Sequence, residues 1–400
     1  MKTYDFSTII DRTKSHSLKW EKYNGKDILP FWVADMDFAA PPEVIEAIQN
    51  RLQHNILGYT NSYAAMSDAF INYAKKMYDW KIQPEWIIWL PGLVCGLHLA
   101  CRSIVGDVFV MPPVYPPFLS SPILSGKQRI DLPLIFDDVA YKNDKNKNAF
   151  RLDFASIEQH FQNAKANSLL LLCSPHNPVG RAWNADELQH LAKLAQKYNI
   201  VICSDEIHCD LLLDENLQHL PIEKLNTDLQ LNLQTITLMA PSKTYNLPGL
   251  ACALAIIPDA NLRKKYKQVR QGIVPDANLF GYVGVETAFS QCLAWKEQLL
   301  AVLRKNHNEL FALVNEELNA YGIAMQKVEA TYLAWLDVRS LGEKISAADF
   351  EEFGLGLSDG SDFGNSGFVR FNFGCPNALL QQGLQRLKIA VKALWERNKK

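Results

Sequence analysis

Three short apolar runs in the middle of the chain, residues 168–173 (SLLLLC), 200–203 (IVIC) and 235–240 (TITLMA), constrain the fold more than any other feature. Each stops abruptly at polar residues: Ser174-Pro175, Ser204-Asp205-Glu206 and Pro241-Ser242-Lys243. Runs this short and this apolar predict strands buried on both faces. Between the first two lies a helical signal. Asn184 and Glu187 have the spacing of a capping box, and Leu188, Leu191, Ala192, Ala195 and Tyr198 then recur on one helical face. A buried strand, a helical crossover and a second buried strand predict an α/β fold, a mostly parallel sheet with helices on both sides.

The chain has 400 residues, room for one large domain with a smaller partner. Near residue 284 the pattern changes to two helical stretches (284–303 and 308–320), strand-like segments at 332–338 and 367–373, and a closing basic helix. We read residues 46–283 as a large domain, and residues 1–45 with 284–400 as a smaller α+β domain. The 41 Lys and Arg against 43 Asp and Glu leave a net charge of −2, so no global field favours nucleic acid or an anionic membrane. Arg263, Lys264, Lys265 and Lys267 stand among apolar residues at helical spacing and read as a solvated face. The polar stretch 141–148 (YKNDKNKN) reads as an exposed loop. The cysteines are scattered without a C-x-x-C pair, as buried thiols of a reducing compartment would be. The polar N-terminus has no apolar signal core and no apolar run is long enough to span a bilayer, so a cytoplasmic protein is expected. Cys173, His176, His208 and Cys209 fit no zinc spacing, and no metal is expected.

Ligands of open α/β sheets bind at the carboxyl ends of the strands, and here those ends deliver Asn177, Asp205 and Lys243. A lysine past a buried strand can be no more than a surface residue. The three together, however, meet the needs of pyridoxal 5'-phosphate (PLP): an amine to form an imine, a carboxylate to keep the pyridine nitrogen protonated, and a donor to the ring oxygen. The phosphate needs donors as well. Pro91-Gly92-Leu93-Val94 precedes a helical pattern (Leu97, Ala100, Cys101, Ile104), so the N–H groups of Leu93 and Val94 would face an anion, with the Ser242 hydroxyl as a second donor. In FVRFNF (368–373), alternation separates Arg370 from Val369, Phe371 and Phe373. Arg370 is then either a clamp for a substrate carboxylate or half of a structural ion pair.

The segments LCSPHNPVGRAW (172–183), ICSDEIHCD (202–210) and APSKTYNLPGL (240–250) resemble the fold-type I PLP-dependent transferases of the class I/II aminotransferase superfamily. Within these they resemble the cystathionine β-lyase, or cysteine-S-conjugate β-lyase, group. The likeness runs from YDF (4–6) through ADMDF (34–38), Gly58-Tyr59 and TYLAWLD (331–337) to GFVRFNFGCP (367–376). It implies that Lys243 carries PLP and moves the Cα proton, that Asp205 pairs with the pyridine nitrogen, and that Asn177 donates to the phenolic oxygen. Arg370 would hold the substrate carboxylate. Tyr115, framed by prolines in PPVYPPF, would stack on the ring, and Tyr59 would reach the phosphate from the neighbouring subunit of a homodimer; for both, a core tyrosine is the other reading. His208 stands where many aminotransferases of this fold have a Tyr, and is either a ring neighbour or a structural histidine.

Two departures from the pattern matter. Related aminotransferases place an Arg after the lysine to neutralise the phosphate, whereas this chain reads TYNLPGLA (244–251), which leaves more to backbone dipoles and a Tyr hydroxyl. In the loop LSDGSDFG (357–364), Asp359 replaces an expected Pro, which bears on substrate choice rather than cofactor chemistry. The implied activity is β-elimination from a small amino-acid substrate, cystathionine or another cysteine S-conjugate, giving a thiol, pyruvate and ammonia. An aminotransferase, or a regulatory protein that has kept the fold, are the alternatives.

Overall fold

The three apolar runs lie side by side in a seven-stranded sheet of the computed structural model, which describes residues 2–399 apart from 138, 140, 142, 143, 145 and 146. In chain order the strands are β1 (Ile87–Leu90), β2 (Val108–Val110), β3 (Arg129–Asp131), β4 (Leu169–Cys173), β5 (Val201–Asp205), β6 (Thr235–Met239) and β7 (Ala253–Ile256). Their spatial order is β1-β7-β6-β5-β4-β2-β3. All neighbours from β6 to β3 are parallel, and β7 runs antiparallel between β6 and β1.

Strands β4, β5 and β6 are buried at every position, as a run without polar alternation requires. Leu169, Leu171 and Cys173 pack in one core with residues of helices Leu93–Ser103 and Ala260–Arg270. Leu170 and Leu172 enter another, against helices Phe154–Gln162 and Ala185–Lys197. Each leucine so buried contributes roughly 1.5–3 kcal/mol relative to exposure. The capping box of Ala185–Lys197 is present: Asn184 Oδ1 accepts from Glu187 N and Glu187 Oε2 accepts from Asn184 N, both at 2.9 Å. Register then does the positioning. Cys173 is level with Asp205, and Asp205 with Leu238, so the strands end together and their next polar residues emerge at one edge.

A second sheet is antiparallel, with β8 (Ala324–Met325), β9 (Leu333–Asp337), β10 (Ser358–Asp359) and β11 (Phe368–Asn372) in the order β8-β9-β11-β10. The N-terminal chain joins it, since Leu29 and Pro30 pair in parallel with Leu355 and Gly356. The closing helix is Asn377–Asn398.

The expected helices 284–303 and 308–320 are corrected to Leu279–Gln291 and Leu293–Ala312, followed by a wider π-type turn, Leu313–Glu317, and a tighter 3-10 turn, Leu318–Tyr321. The break falls at Cys292, not near residue 305. Asn306 and His307 read as polar interruptions but are buried with partners. Asn306 Nδ2 donates to the carbonyls of Phe373 (3.0 Å) and Cys375 (2.7 Å), and His307 Nε2 accepts from Val328 N (3.1 Å). The boundaries drawn at 45/46 and 283/284 also fall inside continuous helices, Pro42–Leu52 and Leu279–Gln291, which pack on each other. Of the stretch 141–148 expected as a loop, Lys142, Asn143, Lys145 and Asn146 lie outside the described residues.

Residues 32–38 form a strap between the two sheets, held from both sides. Asn246, three residues past Lys243, accepts from Met36 N (3.0 Å) and donates to the carbonyls of Met36 (2.9 Å) and Phe38 (2.8 Å). From β11, Asn372 Nδ2 donates to the carbonyls of Val33 and Asp35, both at 2.7 Å. Asp37 is buried against Lys19 (2.7 Å) and Arg12 (2.7 Å), and Trp20 Nε1 donates to it at 3.0 Å. Removing one partner of such a buried set costs about 3–5 kcal/mol.

Candidate active site

A cavity of about 460 Å³ opens where the carboxyl ends of the parallel strands meet the strap and the second sheet. Among its walls are Asn177 after β4, Asp205 at the end of β5, and Ser242 and Lys243 after β6. Leu93, Val94, Tyr115, His208 and Arg370 also line it, so the cavity gathers every residue given a cofactor or substrate role in the sequence except Tyr59.

Lys243 is half-buried, and its Nζ donates to the Ala34 carbonyl of the strap at 2.6 Å. Loss of hydration pulls its amine down to about 8, against the opposing pull of Asp35 and Asp205. Asp205 is 6% exposed, with Oδ1 accepting from Ile207 N at 3.1 Å. Burial pushes its carboxyl up to about 7, because no cation touches it. A cationic ring nitrogen is the partner that such a buried acid lacks.

The other end of the cavity suits an anion. Helix Leu93–Ser103 begins without a side-chain cap, so the N–H groups of its first turn, Leu93 and Val94 among them, have no intrahelical acceptor. Gly92 before it has nothing within 4 Å of the place a Cβ would occupy, which leaves the approach open. Ser242 stands on the same wall. Cofactor ends and protein groups thus match: an acid for the ring nitrogen, an amine for the aldehyde, and a helix N-terminus for the phosphate.

Arg370 is 4% exposed, yet none of its partners is a carboxylate. Its guanidinium donates to Asn177 Oδ1 (3.0 Å), the Trp32 carbonyl (2.8 Å) and Ser358 Oγ (3.3 Å), and lies 4.7 Å from the Phe363 ring centroid. Its Nε has no partner among the described residues. Burial pulls the group down to about 10, still protonated at neutral pH. The ion-pair reading therefore fails, and a buried cation on a cavity wall without a carboxylate partner is suited to an incoming carboxylate.

His208 is buried at the cavity wall, edge-on to Tyr332, with Nδ1 unpartnered. Burial holds it neutral, near 3. Tyr115 is half-buried at the start of helix Pro116–Leu124, its N donating to the Asn177 carbonyl at 3.1 Å, and burial raises its phenol. It is a wall residue, not a core one. Tyr59 is fully exposed, which excludes the core reading for it as well. His176 is a structural histidine: it is buried, its Nε2 meets the Pro113 carbonyl at 2.9 Å, and burial pushes it down to about 4.

The sequence reading missed the contribution of the strap, Trp32 to Ala34, and of Ser358, Asp362 and Phe363. Ala34 matters most, since its carbonyl accepts from both Lys243 and Tyr332 Oη (3.0 Å). Asp359 is not on the cavity wall; its carboxylate caps the following turn and the N–H of Ala347 instead.

The profile of the aminotransferase class I and II family matches residues 26–387, a span that contains the whole cavity. The chain belongs to that family. Among the relatives of this family member, the cystathionine β-lyase PatB of Bacillus subtilis is 35% identical, covering 97% of this chain and all (100%) of its own. The crystal structure of OvoB superposes with a TM-score of 0.90 at 39% identity, over 97% of this chain and 99% of the other. The PLP-bound C–S lyase of Staphylococcus hominis superposes at 0.87 and 28% identity, over 97% and 99%. The fold is that of the fold-type I PLP-dependent transferases, a large mostly parallel sheet with a second α+β part.

Proposed function

We propose that this chain is a PLP-dependent carbon–sulfur β-lyase that cleaves cystathionine or other cysteine S-conjugates to a thiol, pyruvate and ammonia. The observation that carries the reading is the set of complementary deficits in one cavity. A buried acid without a cation, an amine drawn down to about 8 and a buried guanidinium without a carboxylate face the same space. The relatives named cystathionine β-lyase and C–S lyase support the same activity.

When bound, PLP supplies an electron sink conjugated to the substrate Cα. The chain's own groups do the rest. Arg370 binds the substrate carboxylate through paired N–H groups and so fixes the direction of the Cα–H bond. Lys243, neutral once its pKa is passed, takes the Cα proton on Nζ. Asp205 holds negative charge against the ring nitrogen, Asn177 donates to the phenolic oxygen, Tyr115 packs on the ring, and the Leu93–Val94 turn with Ser242 holds the phosphate. His208, kept neutral, borders the ring without adding charge. The Cβ–S bond then breaks, the sulfur leaves as a thiol, and one water converts the three-carbon fragment to pyruvate and ammonia. The walls contributed by the strap keep other water away from the proton on Lys243.

The reading includes a homodimer in which Tyr59 reaches the partner's phosphate site. Its support is that Ile56, Leu57 and Tyr59 are exposed on one short stretch. No helix among the described residues is long and apolar enough to cross a membrane, and the reading places the enzyme in the cytoplasm.

Incubation with L-cystathionine and no added 2-oxo acid is expected to yield pyruvate and homocysteine in equal amounts, and Lys243→Ala to abolish both. A strict requirement for a 2-oxo acid would make the protein an aminotransferase. Turnover unchanged in Lys243→Ala would remove the enzymatic reading.

A further inference from the structure

One charged group on the cavity wall has no part in the reaction described above. Lys243, Asp205 and Arg370 are assigned to the proton, the ring nitrogen and the carboxylate, and His208 is neutral, which leaves Asp362. Asp362 is exposed, so it stands at the mouth, and among the described residues it has no hydrogen-bond or ion-pair partner. Its charge reaches Arg370 deeper in the cavity.

The turn that carries it, Gly360–Phe363, is held in place on all sides. Asp359 Oδ1 accepts from Ser361 N (2.9 Å) and Ser361 Oγ (2.6 Å), while its Oδ2 accepts from Ala347 N (2.8 Å). Val114 N donates to the Phe363 carbonyl at 3.0 Å, which ties the turn to the Tyr115 segment. Gly360 is pressed so close that an added Cβ would come within 2.4 Å of the Asn365 carbonyl oxygen and 2.5 Å of that of Phe368. Asp359, the departure noted in the sequence, thus serves as the cap of this turn, and the carboxylate left facing the cavity is that of Asp362. The rings of Trp32, Tyr115 and Phe363 line the same cavity, and aromatic faces attract cations.

A substrate anchored by its carboxylate at Arg370 and by its Cα near Lys243 can extend only its sulfur substituent towards the mouth. We propose that Asp362 is a specificity residue that selects cysteine S-conjugates whose sulfur substituent carries a cationic nitrogen, an ammonium or an imidazolium. The proposal rests on the lyase reading for its orientation of the substrate. For S-(2-aminoethyl)-L-cysteine the Cα–H and Cβ–S bonds break, the sulfur departs with a proton as cysteamine, and one water yields pyruvate and ammonia; no oxidant or reductant is needed.

The test compares three probes on the holoenzyme: S-(2-aminoethyl)-L-cysteine, its neutral isostere S-propyl-L-cysteine, and the anionic S-carboxymethyl-L-cysteine. Pyruvate release gives kcat/KM, and titration of the cofactor's absorbance band gives Kd without reference to turnover. The wild type is expected to prefer the aminoethyl compound, and Asp362→Asn to lower the aminoethyl-to-propyl ratio roughly twofold to fivefold in both measures, as loss of one partly solvated charge pair predicts. About 1 M salt should compress the wild-type ratio in the same direction. A ratio that Asp362→Asn leaves unchanged overturns the proposal. An equal fall for all three probes overturns it too, since Asp362 would then act by orienting Arg370. Pyruvate from none of the probes would sink the lyase reading, while the Kd ratios would still decide this one.

Discussion

Asp205 and Lys243 are placed where water can no longer stabilise their charge, and the pH dependence of folding should report it. Without cofactor, the Asp205 carboxyl rises from 3.8 to about 7, so its stabilising contribution is complete below the lower value and is lost as pH rises through the higher. Lys243 falls from 10.5 to about 8, so its destabilising contribution is full below about 8 and fades towards 10.5. For these two groups, cofactor-free protein is least stable between about pH 7 and 8. Asp205→Asn removes the buried charge, and should stabilise cofactor-free protein at pH 8 by on the order of 2 kcal/mol in urea unfolding. The same change should lower pyruvate formation at least about 100-fold, because the ring loses its anionic partner. A variant no more stable than its parent at pH 8 would refute the burial argument. Of these residues, Asp205, Asn177 and Lys243 were legible in the sequence because each sits at or just beyond the carboxyl end of its strand. Asp362 and Ser358 were not, since nothing local to an exposed turn or a two-residue strand says which cavity it borders.

The strap and the lysine-bearing turn are coupled through a single side chain. Asn246 adopts a left-handed backbone (φ 54°) and makes three hydrogen bonds to Met36 and Phe38. Asn246→Ala loses these bonds and adds backbone strain, a cost of about 2–4 kcal/mol in urea unfolding. It should also raise KM, because the Ala34 carbonyl that meets Lys243 is carried by the same strap. A loss of stability with KM unchanged would mean that the strap does not position the lysine. The buried strands and the capping box were readable because burial on both faces and the cap's spacing leave local patterns. The strap was matched by resemblance but given no role: the contacts that tie it to the cavity and the two sheets come from residues more than 200 positions away in sequence, as for Met36 with Asn246 (|i−j| = 210). The helix break at Cys292 was missed for a related reason, that buried Asn306 and His307 look like loop residues until their partners are known.

At the scale of the whole molecule, the cavity receives every residue given a cofactor or substrate role in the sequence except Tyr59, which projects into solvent. An assembly that shares its active sites makes sense of that position. Lys243→Ala, inactive alone, and Tyr59→Ala, weakly active alone, should regain pyruvate production when unfolded together and refolded as a mixture, because one mixed site then has both residues intact. A mixture no more active than its components would place Tyr59 outside the site. The parallel sheet was foreseeable from its unalternating runs, but the antiparallel β7 was not, since Ala253–Ile256 carries no sign of its direction.

The central claim is that the cofactor is bound to one particular amine. Borohydride reduction of the holoenzyme, followed by peptide mapping, reads that bond directly. Reduced pyridoxyl phosphate on Lys243 alone is the predicted result; label on another lysine, or protein that takes up PLP and carries none after reduction, would contradict it.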